Sequence, residues 1–223
     1  MFSTVNYNFN FETILQYKQK FIDGFLVTII ISFFALILSF LIGLFFAYAQ
    51  SSKLILLRFF ARFYIETIRG TPLLVQILIF FYVFANNLGF DNRYISGVVI
   101  LAVFSGAYVS EIIRASIQSI SRVQYEAGAS FGMSNYQIYR FVIFPQAFKR
   151  MLPALTGQFA SIIKDSSLLS IISISEFTMN AQEVNAYTYS TLESYIPLAI
   201  GYLLLTYPIS FYSSKLEKNL KQE

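Results

Sequence analysis

Hydrophobic residues in this chain come in long blocks. Gly24 to Ala49, GFLVTIIISFFALILSFLIGLFFAYA, runs 26 residues without a charge. At about 1.5 Å per residue it crosses a bilayer core with tilt to spare. It is too long for a signal-peptide core, and the residues before it are polar and mixed, which predicts an uncleaved span. Further blocks at 70–86, 94–113, 151–174 and 195–212 complete the pattern. It predicts a single all-α integral membrane domain over residues 1–223 with about five transmembrane helices.

Finer features mark how these spans meet. Ser39, Gly43 and Ala47 recur every four residues, a small-residue stripe that lets another helix approach closely. Ahead of the second block, Arg58, Arg62, Glu66 and Arg69 stand among aromatics, which suits an interfacial, half-submerged helix.

Lys and Arg set the orientation. Lys53, Arg58 and Arg62 follow the first span. Arg114, Arg122, Arg140, Lys149 and Arg150 flank the loop between the third and fourth, and Lys215, Lys218 and Lys221 form the tail. The alternate loops carry Asp91, Glu176, Glu183 and Glu193. The N-terminus is therefore expected outside and the C-terminus in the cytoplasm.

Composition narrows the chemistry. The chain is 56% hydrophobic and only 13% charged, with no His, Cys or Trp. Without His and Cys, most zinc, haem and thiol chemistry and any His-based relay are excluded. No G-x-x-x-x-G-K-[ST] stretch is present, so the chain has no phosphate-cradling loop. It is expected not to be an enzyme and to hold no cofactor of its own. The net charge of +4 fits cytoplasmic loops of a membrane protein and calls for no nucleic-acid partner.

The loop at 121–145 is the compact exception in an oily chain. EAGASFGMSNYQIYRFVIFP, Glu126 to Pro145, holds small residues, one acid, two glycines and a closing proline. Two glycines in seven residues each cost a helix about 1 kcal/mol relative to Ala, so close approach by another chain is the expected reason for them. The segment resembles the EAA loop of ABC-importer permeases. That pattern is met at Glu126, Ala127, Gly132 and Pro145, with Gly128 for Ala, Val142 for Ile and Phe144 for Leu. RGTPLLVQ, GAYVSEIIRASIQSI and KDSSLLSII resemble the branch for polar amino acids, and SEFTMNAQ is loosely similar to its cystine permeases. Apart from that last stretch, the likeness covers about Phe63 to Ile174.

The resemblance implies a type I permease fold and a coupling helix in which Glu126, Ala127, Gly128, Phe131 and Gly132 meet the ATPase. It implies a cytoplasmic ABC ATPase dimer that binds ATP and Mg, and a second permease copy or paralogue. It also implies an extracytoplasmic solute-binding protein and residence in the bacterial cytoplasmic (inner) membrane. Alternating access would come from ATP closing the ATPase pair.

Three groups of residues are candidates beyond the loop. Arg69, Gly70, Thr71 and Pro72 have the composition of a helix entry, with Thr as cap, Pro in the first turn and Arg snorkelling to head groups; a gate-positioning role is the other reading. Glu111 and Arg114 are spaced for an ion pair on one helix face, as structure or as contact with the loop. Lys164 and Asp165 lie about 18 Å past Pro153 along their span. Ionisable groups at that depth are costly unless they face a wet cavity or a partner, and so are functional candidates by default. Gln158, Ser161 and Asp165 fall within about 60° on a helical wheel, while Lys164 points about 100° away from Asp165. That stripe is either the transport pathway or interhelical glue.

An importer subunit for a polar amino acid, uncharged or cystine, is thus the leading expectation. Permeases of this branch for cationic amino acids often carry Glu where this chain has Gln158, so the neutral amide disfavours arginine or lysine. The rival is an ion-coupled secondary transporter. Such carriers usually show internal repeats and hold a whole pathway in one chain, and no convincing repeat is found here.

Overall fold

The computed structural model describes residues 12, 15–85 and 92–220, with the backbone alone at 85 and 219. Asp91, Lys221 and the end of the second block at 86 lie outside the described residues. Nine α-helices follow in order among the described residues: α1 Lys18–Gln50, α2 Ile55–Gly70, α3 Leu73–Ile79, α4 Arg93–Gln118, α5 Arg122–Ser130, α6 Asn135–Ile138, α7 Phe144–Asp165, α8 Phe177–Thr188 and α9 Thr191–Leu220. Wider π turns extend α3 over Phe80–Ala85 and α6 over Tyr139–Ile143, and a tighter 3-10 helix continues α7 over Ser166–Ile172.

α1 and α4 form the centre. The small-residue stripe of α1 is what makes this possible, because Ser39, Gly43 and Ala47 are all buried. A Cβ on Gly43 would collide with Val109 of α4, and one on Gly106 of α4 would collide with Ile42 of α1. The two backbones therefore approach through reciprocal glycines, as helices do where lipid supplies no hydrophobic drive. The opposite face of α1 leaves Leu26, Ile30, Phe33, Phe34, Leu41 and Phe45 exposed, as a lipid-facing surface requires.

One apolar cluster joins Ile31, Ala35, Leu73, Ile77, Ile100, Leu101, Ile162, Leu169 and Ile174 toward the 3-10 segment that follows α7. A second joins Ala47, Val109, Ile113, Ile138, Ile143, Ala147, Met151 and Leu155 toward the loop of α5 and α6. Both unite α1, α4 and α7.

Two spans differ from the simple blocks. The interfacial helix α2 and the apolar arm beginning at α3 meet at a bend of 111°. Thr71 is extended there (φ −123°, ψ 147°), the conformation expected of a residue before proline, and Pro72 lacks the N–H that would continue the helix. By length and apolarity, α1, α4 and α9 qualify as spans, and the bent pair makes up to four. The block at 151–174 does not qualify as one helix. Polar residues lower its apolarity, and its α-helix stops at Asp165 before the 3-10 segment begins. That segment ends on Ser173 in the left-handed region (φ 56°), a conformation that strains a residue other than glycine by roughly 1–3 kcal/mol.

Candidate functional site

The loop at 121–145 folds as a helical hairpin. Ser121 caps α5 by accepting from the Val123 N–H. Gly132 is left-handed (φ 73°); its N–H donates to Ala129 O, and the Met133 N–H donates to Gly128 O at 3.2 Å. These paired bonds are the glycine-terminated helix end that satisfies the last carbonyls. Ser134 then opens α6 with a reciprocal capping box to Gln137, and Tyr125 donates to Asn135 across the hairpin at 2.6 Å.

Within this chain the two glycines serve different ends. Gly128 is buried, and a Cβ there would lie 2.9 Å from Ile138 Cγ1. The close approach comes from this chain's own α6. Gly132 has open space around it and serves the turn. The outward surface belongs to Val123, Glu126, Ala127, Phe131 and Tyr136, with Phe131 87% exposed. Glu126 pairs with Arg122 at 3.1 Å, one turn away and well exposed. Just beyond the hairpin, Arg150 of α7 ties that helix to the end of α4 by donating to Ser119 O at 2.7 Å.

The second group converges on one carboxylate. Arg114 grips Glu111 with two bonds, from Nε at 2.9 Å and Nη2 at 2.8 Å. Arg69 reaches the same carboxylate from α2 at 3.4 Å and lies over the Tyr108 ring. This corrects the snorkelling reading of Arg69: the guanidinium turns inward to α4. Gln50, Arg62 and Glu66 line the same polar cavity of about 430 Å³. Gly70 is exposed with nothing near it. Thr71 is no cap for α3, because its hydroxyl donates back to Thr67 O and accepts from Gln76. Pro72 stands just before α3 rather than in its first turn, and its carbonyl accepts from Val75 and Gln76.

The third group is only partly assembled. Gln158, Ser161 and Asp165 are all half-buried on α7, and Lys164 is exposed. Gln158 lies at the limit of a hydrogen bond, 3.5 Å, from Ser105 of α4. Ser161 turns to its own backbone at Gly157 O. Asp165 is the last α-helical residue before the tighter winding.

Sequence spacing alone missed a knot at the other end. Glu176 is fully buried and caps α8 by accepting from Thr178 N–H at 2.8 Å and Met179 N–H at 2.7 Å. Tyr202 of α9 donates to the same carboxylate at 3.0 Å. Burial pushes the Glu176 carboxyl above the usual range, and these hydrogen bonds pull it partly back. Thr28 of α1 accepts from the Phe177 N–H, and Lys20 pairs with Glu183 of α8. The acid directly before a helical run was the available signal for the cap.

Residues 39–222 match the family model for the inner membrane component of binding-protein-dependent transport systems. The chain belongs to that family. It is the permease subunit of an ABC importer and an inner-membrane, multi-pass protein. The glutamine transport system permease of Escherichia coli K12 is 35% identical over 217 residues, covering 96% of this chain and 98% of that protein. A putative glutamine transport system permease of Rickettsia prowazekii is 35% identical over 212 residues, covering 93% and 97%.

Among solved structures, a chain of an amino acid ABC transporter crystallised with histidines is 37% identical with a TM-score of 0.88, covering 96% of this permease and all of that chain. An inward-facing methionine ABC transporter is 16% identical with a TM-score of 0.72 over 90% of this chain, which is a likeness of fold. The type I permease fold is thereby established, and the ion-coupled alternative has no support.

Proposed function

We propose that this permease carries a polar, uncharged amino acid of the glutamine type, and that Gln158, Ser161 and Asp165 belong to its pathway. The supporting observation is Asp165, a half-buried carboxylate at the end of α7 on the same stripe as the Gln158 amide. A carboxylate there offers a partner to the substrate ammonium, a charge-assisted contact worth about 1.5–3 kcal/mol. The amide at Gln158 offers no charge to a cationic side chain. The substrate named for the Escherichia coli and Rickettsia relatives supports the same class. Lys164, exposed on the other side of α7, would serve a carboxylate only by rotating inward.

The hairpin of α5 and α6 is assigned to a cytoplasmic ATPase dimer, which binds the ATP and Mg that this chain does not. Phe131 and Ala127 present the contact surface, and Gly128 and Gly132 shape it from within. A second permease copy or paralogue completes the pathway, and a solute-binding protein delivers substrate from outside. The N-terminus lies outside and the C-terminus in the cytoplasm. The charge network of Arg69, Glu111 and Arg114 holds α2 against α4 as a gate support.

The test is uptake with Asp165→Asn in every permease copy. Uptake is expected to be abolished, while Gln158→Glu retains it and raises competition by arginine. Normal uptake by Asp165→Asn would leave the stripe a structural feature.

A further inference from the structure

The 3-10 segment after Asp165 stands out because it is seven residues long, whereas such runs rarely pass three or four. Three serine hydroxyls hold the tight winding. Ser166 donates to Ile163 O at 2.8 Å, Ser167 to Lys164 O at 2.7 Å and Ser170 to Ser167 O at 2.8 Å, each reaching three residues back. At the far end Ser173 sits left-handed without being glycine. Arg93, the first residue of α4, donates to the Ser173 carbonyl at 2.9 Å. A strained residue persists only where its surroundings over-determine it: the Ser173 N–H donates to Ser170 O at 2.9 Å, the Ile174 N–H donates to Leu169 O at 3.4 Å, and Arg93 adds the side-chain hold from α4.

We propose that Ser166–Ile172 is a length-changing element of the transport cycle, with Arg93 and Ser173 as positioning residues that latch its extended winding. The proposal rests on Asp165 being on the pathway. Rewinding seven residues from about 2.0 to about 1.5 Å per residue shortens the segment by roughly 3.5 Å. It also turns Asp165 relative to Ser173 by roughly 140°, since each residue advances about 100° in place of 120°. Leu169 and Ile172 bury the inner face of the segment in the cluster that holds Leu73 and Ile77. A change of winding at Asp165 is therefore felt at the arm that follows the bend at Pro72.

Two arms test this in the complete importer, reconstituted with its ATPase and binding protein. Arg93→Ala should lower the uptake rate by about fivefold or more, and adding Ser173→Gly should restore it to within about twofold, because glycine holds the left-handed backbone unaided. Wild-type uptake by Arg93→Ala, or no restoration by the glycine, would overturn the latch. Because the chain has no cysteine, spin labels placed at the exposed positions of Ala154→Cys and Gln182→Cys report the segment length in an otherwise unaltered protein. Their separation should differ between nucleotide-free and ATP-trapped complexes, since a shortening of roughly 3.5 Å and a turn of roughly 140° both displace one label relative to the other. An unchanged separation overturns the winding change even if Arg93→Ala fails to accumulate. Loss of Asp165→Asn sensitivity, by contrast, strikes the pathway reading and not the latch.

Discussion

Gly128 of α5 lies against Ile138 of α6, so near that a Cβ would stand 2.9 Å from Ile138 Cγ1. Ile138 is fully buried and continues into the cluster with Val109, Ile143 and Met151. The packing of α5 on α6, and through Ile138 on that cluster, thus depends on one glycine. Gly128→Val should separate α5 from α6. Uptake is expected to fall with membrane abundance near normal, and ATP hydrolysis stimulated by the binding protein should fall with it. Full uptake by Gly128→Val would mean the hairpin tolerates being pried apart.

Gly132 holds a left-handed backbone at the turn between α5 and α6. Gly132→Asn, which tolerates the left-handed region, should transport better than Gly132→Val, since a β-branched residue there loses roughly 1–2 kcal/mol. Gly132→Phe should lose uptake for the same backbone reason. Parallel uptake assays rank the three, and equal activity of the Asn and Val variants would refute the conformational role.

Arg69 and Arg114 share the Glu111 carboxylate, so substitutions should not add. Arg69→Ala and Glu111→Gln are each expected to shift the apparent melting temperature in detergent. The double variant should fall short of the sum, with a coupling of about 0.2–1 kcal/mol for so exposed a pair. Strict additivity would show that the two side chains do not interact.

Glu176 makes stability depend on pH. Burial raises its carboxyl above the ordinary range, so the folded protein holds that proton more tightly than the unfolded chain. The stabilisation is full below the ordinary carboxylate pKa and is lost as pH rises through the folded value. The melting temperature of the wild type relative to Glu176→Gln should therefore decline as pH increases. A difference that is flat or grows with pH would contradict this.

Much of the fold is legible in the sequence because lipid demands contiguous apolar blocks and closely packed small residues. Gly24 to Ala49 and the stripe of Ser39, Gly43 and Ala47 are read directly. The pairing of Glu111 with Arg114 is also legible, since both lie on one helix. Partners on different helices are not. Nothing in the spacing connects Arg69 to Glu111, Gln158 to Ser105 or Arg93 to Ser173, because those contacts depend on how helices cross. Glycines show the same limit: sequence shows that Gly128 admits a neighbour, but not that the neighbour is Ile138. The end of α7 at Asp165 escaped too, because an apolar run such as Leu168 to Ile172 suits α and 3-10 winding alike.

Orientation has a direct check. A lone cysteine in Ser121→Cys should react only with reagent on the cytoplasmic side, and one in Asn92→Cys only with reagent outside. Reversed labelling would place the hairpin of α5 and α6 away from any cytoplasmic ATPase.

The central claim is ATP-driven import of a polar, uncharged amino acid. Its most direct measurement is ATP-dependent uptake into proteoliposomes holding the permease, the ATPase and the binding protein that co-purify with it in mild detergent. Labelled glutamine, cystine and arginine would be compared in the same preparation. The expected result is uptake of glutamine or cystine that requires internal ATP and disappears with Asp165→Asn. Uptake driven chiefly by arginine, or uptake that continues without ATP, would contradict it.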